Sequence, residues 1–293
     1  MGGQAIKKSD RVLVNNVIPI IESFCNFYNI NKNKLTATGS TASAIIRSQQ
    51  LLTTNPVKED ETIGDIDLIF DTTCYLWDSL TTIPGNSPRE ILFKYLLSVN
   101  PSLEYYFNHS AQIISLAYYI DGKKYQIDLI CTMDVKFSLW MYGDHRNQNS
   151  NYKNLYRNSL LSACSHFVNY KSTVNSEQRF LFNYSSGLHY IKSRTRGYRA
   201  KVDELGPVLK NPKEMHRQFI SKDPDTIIQL LLGNYSLEAR NFRSFESVWE
   251  FLIRNVDYEI VQKIKDKHIV YLTKNNYDLP SEYKSPSEYG EKK

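Results

Sequence analysis

Cysteine is scarce and scattered. The four residues Cys25, Cys74, Cys131 and Cys164 are far apart, and none forms a C-x-x-C pair. That excludes a disulfide framework and a zinc knuckle and fits a reducing compartment. The N-x-S triplets at Asn108, Asn183 and Asn234 are then not glycosylation sites. Long apolar runs are missing too. The longest, "VIPII" and "IIQLLLG", are too short to span a bilayer. The opening "MGGQAIKKSD" has no apolar h-region, and Ile6 breaks a myristoylation pattern. A cytoplasmic location with no membrane partner is therefore expected. The six histidines (His109, His145, His166, His189, His216 and His268) stand at no metal-ligand spacing. The P-loop and Rossmann glycine fingerprints are absent, and so are G-x-S-x-G and the kinase motif set. Charge of one sign does not dominate. With 36 basic against 31 acidic residues, the net charge is +5, which admits an anionic ligand without requiring one.

What is present is enough apolar residue, 41% of 293, for a sizeable core. The residue pattern divides the chain in two. Residues 9–29 read as an amphipathic helix interrupted near Pro19. "KLTAT" reads as a short strand ending at Gly39-Ser40, and "TASAIIRSQQLL" as a helix starting after that turn. The polar "TTNPVKEDET" is a loop, and "GDIDLIFD" alternates like a strand with one wet face. "SPREILFKYLLSV" has a Ser87 N-cap and an N1 proline, the pattern of a helix start. In "AQIISLAYYIDGKKYQIDLICT" two β-rich runs flank Asp121-Gly122, a strong hairpin signal because both turn positions need positive φ. From about residue 150 helical patterns prevail, with a helix expected over 150–168 and a basic stretch over Lys192–Lys213. The expected organisation is a catalytic α+β domain over 1–148 and a mostly helical domain over 149–275. Residues 276–293 are read as a mobile tail.

The chemistry concentrates in a few positions. Asp65 and Asp67 sit two residues apart in an apolar strand pattern, so they share one face about 7 Å apart. Like charges that close repel, and burial makes it worse. Asp128, in "YQIDLIC" of the second hairpin strand, is a third carboxylate bracketed by apolar residues. If these strands are neighbours the three converge, and converging anions make sense around divalent cations. Mg²⁺ takes a few carboxylates and completes its shell with water and substrate phosphates. Gly39-Ser40 at a strand-to-helix turn suits a phosphate: glycine allows close approach, and helix N–H groups point at the anion. Asp71 lies on the same strand face but at its end, where a turn role is the simpler reading.

Gly39-Ser40, Asp65-Ile66-Asp67 and Asp128, in that order, resemble the DNA polymerase β-like nucleotidyltransferase superfamily over residues 35–131. The family carries a Gly-Ser turn and helix, then a strand with Asp-x-Asp, then a later strand with a third Asp. The 24 residues between Ser40 and Asp65 exceed the usual interval, an excess that a longer helix and the polar loop can absorb. The resemblance implies a nucleotidyltransferase-like mixed sheet with flanking helices. It also implies a metal-dependent enzyme moving an NMP from an NTP to an acceptor hydroxyl. Asp65, Asp67 and Asp128 would be its catalytic residues and would ligate Mg²⁺ or Mn²⁺; Gly39 and Ser40 would bind the β/γ-phosphates. Family members often place a base on the following helix against the triphosphate. Lys153 and Arg157, spaced i, i+4, are the candidates, with a solvated face as the alternative. The acceptor stays open among an RNA or tRNA end, a protein hydroxyl, a small molecule and a second nucleotide. RNA would use the basic segment with Arg194, Arg196, Arg199 and Lys201. The rival from another class is a catalytically silent module that binds nucleic acid or a partner protein.

Overall fold

The computed structural model describes residues 9–49, 58–73, 88–107, 112–143, 150–167, 178–192 and 216–284. The chain divides into two compact units, 1–148 and 149–293.

The first unit is built on a mixed five-stranded sheet. Its strands are β2 (Leu35–Ala37), β4 (Ile66–Asp71), β5 (Tyr105–Phe107), β6 (Ile113–Ile120) and β7 (Lys123–Thr132), in the spatial order β2-β4-β7-β6-β5. Only the central β4–β7 pair is parallel. A separate short ladder joins β1 (Val12–Leu13) to β3 (Thr62–Ile63). Asp121 and Gly122 have φ of 49° and 76°, the two positive values that a two-residue hairpin turn demands, and they join β6 to β7 as expected. The two faces of the sheet differ. Ile66, Leu68 and Phe70 of β4 lie beside Ile127, Leu129 and Cys131 of β7 and Ile114 and Leu116 of β6. All are buried in the main core, with Phe24 of α1 (Val17–Phe27) and Leu92 and Leu96 of α3 (Pro88–Val99). The opposite face carries Asp67, Asp128 and Ser115.

Two expectations need correction here. The segment 9–29 is not one broken helix. It forms β1, a 3₁₀ turn over Val14–Asn16 and then α1, so Pro19 falls in the first helical turn, where its missing N–H costs nothing. Nor is the second face of β4 wet along its length, since Ile69 is fully buried there. Besides the core elements, the helices Gly39–Gln49 and Val135–Tyr142 pack against β4, and it is such packing on its faces that buries a strand's second side.

The second unit holds helices α5 (Asn154–Cys164), α6 (Pro224–Leu232), α7 (Phe245–Asn255) and α8 (Tyr258–Lys274). Their boundaries follow local chemistry. Asp223 caps α6 ahead of Pro224, and Gly233 ends it in the left-handed region. Ser244 and Ser247 cap α7 reciprocally. The unit is less purely helical than expected. An antiparallel sheet in the order β10-β9-β8 is formed by β8 (Gln178–Asn183), β9 (Gly187–Lys192) and β10 (His216–Ser221). Asn183 Oδ1 accepts from the amides of Ser185 and Ser186 and so shapes the β8–β9 turn. Gly187 has φ +84°, and a Cβ there would meet the Ser221 carbonyl at 2.5 Å. The segment read as a tail begins anchored: Tyr283 of the 3₁₀ turn Ser281–Lys284 is buried, while residues 285–293 lie outside the described residues.

His268 of α8 is the hub of that anchor. It is fully buried, with Nε2 2.7 Å from Ser159 Oγ and Nδ1 2.5 Å from Tyr283 OH. Burial pushes its pKa down from the ordinary 6.5 to about 3. Between those values the unfolded chain binds the proton and the folded one does not, so stability rises with pH through that window and is lost on acidification. His268→Gln should flatten the thermal stability of the protein against pH between about 3 and 6.5, the window set by the folded and unfolded values. At neutral pH it should cost about 1–3 kcal/mol for the two buried hydrogen bonds lost, to Ser159 and Tyr283. A melting profile with the same acid slope as wild type would assign that slope to other groups.

Candidate functional site

The site is assembled by register. β4 and β7 run parallel with Asp67 directly beside Asp128, on the face away from the main core. Asp65 stands one residue before β4, and its alternation places it on the same side. The three carboxylates converge, each offering an oxygen within 4.8 Å of the others. Of the sequence candidates, the structure brings together these three, and Thr38 and Thr41, on either side of Gly39-Ser40, bond to the backbone of Asp65 and Asp67.

The Gly-Ser turn is tied to the strand by its neighbours. β2 pairs with β4 up to Ala37 opposite Leu68, and the Thr38 amide then donates to the Asp67 carbonyl at 3.1 Å. Gly39 turns out of the ladder with φ +59° and opens α2 (Gly39–Gln49). Only glycine adopts that conformation without strain. Thr38 Oγ1 donates to the Gly143 carbonyl at 2.9 Å, at the end of α4 (Val135–Tyr142), and the Gly39 amide also points at that carbonyl. In the first turn of α2, the buried Thr41 hydroxyl accepts from the Asp67 amide at 2.9 Å and donates to the Asp65 carbonyl. Both backbone groups of Asp67 are thus held by the turn, while Ser40 remains exposed. Of the 24 residues between Ser40 and Asp65, nine (41–49) lie in α2, and β3 stands directly ahead of the carboxylates.

The electrostatics record a site short of positive charge. Burial first, then the charges of Asp65 and Asp128, drives the Asp67 carboxyl well above the ordinary carboxylate range. Burial also raises Asp128 to about 6, opposed by hydrogen bonds from Ser115 and Gln126. Tyr142 is pushed up to about 12, by burial and then by Asp67. Among the described residues the donor set is three hard carboxylate oxygens, which suits Mg²⁺, Mn²⁺ or Ca²⁺ and not a thiolate- or imidazole-seeking metal. Octahedral oxygens around Mg²⁺ at about 2.1 Å lie roughly 3–4 Å apart, so oxygens within 4.8 Å of one another must draw closer to share an ion.

The structure separates the other two candidates. α5 begins at Asn154, so Lys153 is its exposed N-cap and not part of a helical face over 150–168. Arg157 is 2% exposed, donating through Nε and Nη2 to Asn158 Oδ1 at 3.0 and 2.7 Å. Burial, then Arg243, lowers its pKa to about 9. Lys153 and Arg157 therefore form no common exposed surface, and both belong to the second unit. Asp71 Oδ1 accepts from the amide and hydroxyl of Thr73, the turn role expected of it. His145 and the cluster Arg194, Arg196, Arg199 and Lys201 lie outside the described residues. Sequence reasoning missed Ser115, Gln126, Thr38 and Thr41. Gln126 had a signal, standing two residues from Asp128 and hence on its face.

Among the described residues the thiols offer no alternative chemistry, since Cys25, Cys131 and Cys164 are buried and their pKa values raised by that burial. Among the described residues no helix is long and apolar enough to cross a membrane. Compared with protein-family models, with curated proteins and with solved structures, the chain finds no match.

Proposed function

We propose that the chain is a metal-dependent nucleotidyltransferase of the DNA polymerase β-like type, with a nucleotidyltransferase-like sheet in its first unit. The observation that carries this reading is the direct register of Asp67 with Asp128, with Asp65 alongside, next to a glycine turn that opens a helix. Asp65 and Asp67 would hold two divalent ions, Mg²⁺ or Mn²⁺, and Asp128 one of them. Bound there, such ions would acidify an acceptor hydroxyl and offset the charge of its in-line displacement at the NTP α-phosphate, in which the bond to the β-phosphate breaks and pyrophosphate leaves. The residues of the chain supply the rest. The Asp128 carboxylate, whose charged form the donors Ser115 and Gln126 favour against burial, would receive the acceptor proton. The Gly39 backbone lets the β/γ-phosphates approach, and the Ser40 hydroxyl donates to them. Of the N–H groups in the first turn of α2, those of Ser40 and Thr41 would face the same anion, since Gly39 points its amide at the Gly143 carbonyl and Ala42 donates to Thr38. Arg157 is set aside from phosphate binding, being occupied inside the second unit.

The acceptor is decided by one experiment. Protein with each α-³²P-labelled NTP and Mg²⁺ or Mn²⁺ is mixed with total RNA or with lysate. Transfer of label to RNA, to protein or to a small product, dependent on the ion, is the expected result and names the acceptor class. No transfer from any of the four NTPs with either ion would overturn the enzymatic reading and favour a silent binding module.

A further inference from the structure

The environment of Asp128 differs from that of its two partners. Gln126 precedes it by two residues on β7, so both side chains leave the same face of the strand. Gln126 is 3% exposed, and its Nε2 donates to Asp128 Oδ1 at 2.9 Å. Ser115, 4% exposed, stands directly opposite Asp128 on β6 and also hydrogen-bonds its carboxylate. A carboxylate gripped from its own strand and from the neighbouring one cannot swing freely to present both oxygens to a cation. Among the described residues no side chain donates to the carboxylate of Asp65 or Asp67, which the turn holds through their backbones.

That asymmetry bears on which cation fits. Ca²⁺ takes six to eight oxygens in flexible geometry and readily uses bidentate carboxylates, whereas Mg²⁺ demands six at near-octahedral angles and binds carboxylates through single oxygens. We propose that Gln126, supported by Ser115, sets the ion preference of the site: by holding Asp128 Oδ1 it makes Asp128 a one-oxygen ligand and discriminates against Ca²⁺. Gln126 is a positioning residue acting through Asp128. The inference rests on the reading that the triad holds divalent cations, and its test uses binding, not turnover.

Mn²⁺ binding to the full chain is followed by loss of the free-ion EPR signal, and Mg²⁺ and Ca²⁺ are then titrated as competitors. Gln126→Met keeps the length and apolar fit of the side chain without its donor. It should raise Ca²⁺ affinity relative to Mg²⁺ on the order of tenfold, the scale of a lost partner to a metal ligand. Ser115→Ala should move the ratio the same way by less, and it carries the test alone if circular dichroism shows Gln126→Met unfolded. A purely structural role would weaken both ions together and leave their ratio in place. Mn²⁺ binding to wild type with an unmoved ratio in both variants overturns this proposal alone. Absence of Mn²⁺ binding to wild type overturns it together with the metal-site reading.

Discussion

Asp67→Asn should lower divalent-dependent nucleotidyl transfer by a hundredfold or more, and Asp65→Asn and Asp128→Asn should do the same, because each removes a charge that the transition state requires. The same substitutions should not harm the metal-free fold. In wild type the folded-state pKa of Asp128 is raised to about 6 and that of Asp67 is raised further. Above about pH 4 the unfolded chain gives up these protons while the folded chain still holds them. Metal-free stability therefore falls as pH rises through that window, and stays lost above the folded values. For Asp128 the upper bound is roughly 3 kcal/mol. Asp67→Asn should thus melt higher than metal-free wild type at pH 8, with the gap closing toward pH 4. Saturating Mg²⁺ should reverse the order: at a hundredfold excess over Kd it stabilises a binding protein by about 2.7 kcal/mol and the variant by much less. Thermal melts at two pH values with and without Mg²⁺, beside a transfer assay, check all of this. Three variants that keep wild-type turnover would remove the triad from the chemistry.

This pH response opposes that of the second unit. The carboxylates of the first lose stability as pH rises, and His268 loses it as pH falls. Asp67→Asn and His268→Gln separate the two limbs, because each acts on groups in a different unit.

The site was legible where its signals were local. Asp65-Ile66-Asp67 shows its shared face by period two. Gly39 shows a strand-to-helix turn, and Asp121-Gly122 shows a hairpin because few dipeptides accept two positive φ values. That hairpin contained more than was taken from it. A two-residue turn fixes the register, so counting back from Ile120 opposite Lys123 puts Ser115 opposite Asp128. What was not legible depended on distant partners. The parallel pairing of β4 with β7 joins residues some sixty positions apart, and no local pattern specifies it. Ile69 is buried although its face carries carboxylates, and the helices packed against β4 are distant in sequence and not signalled by its own alternation. β8, β9 and β10 escaped because "QRFLFN", "GLHYIK" and "HRQFIS" mix charge with aromatics in short runs. Lys153 and Arg157 looked like one helical face only while the helix was taken to begin at 150; with its start at Asn154 the spacing argument lapses.

Gly39→Val should be the most damaging change that leaves every carboxylate in place. At φ +59° a β-branched residue is strained. The left-handed region costs an ordinary residue about 1–2 kcal/mol, so the chain must either bear that or redirect the start of α2. Redirection would pull Thr38 and Thr41 from the backbone of Asp67, disturbing the triad and the phosphate approach together. A displacement of about 1 Å in such a constellation costs on the order of a hundredfold in kcat/KM. Gly39→Asn separates the two effects. Asparagine tolerates positive φ, so it should restore most of the stability while still placing a side chain where the triphosphate would come. Its loss should therefore appear mainly in the NTP KM, with Mn²⁺ affinity near that of wild type. Ser40→Ala removes one exposed donor and should cost only about 1 kcal/mol of nucleotide binding. Steady-state kinetics against NTP, paired with Mn²⁺ titrations, distinguish the three variants. If Gly39→Asn and Ser40→Ala both leave the NTP KM unchanged, the turn does not touch the nucleotide, and the phosphates must be held elsewhere than at the N-terminus of α2.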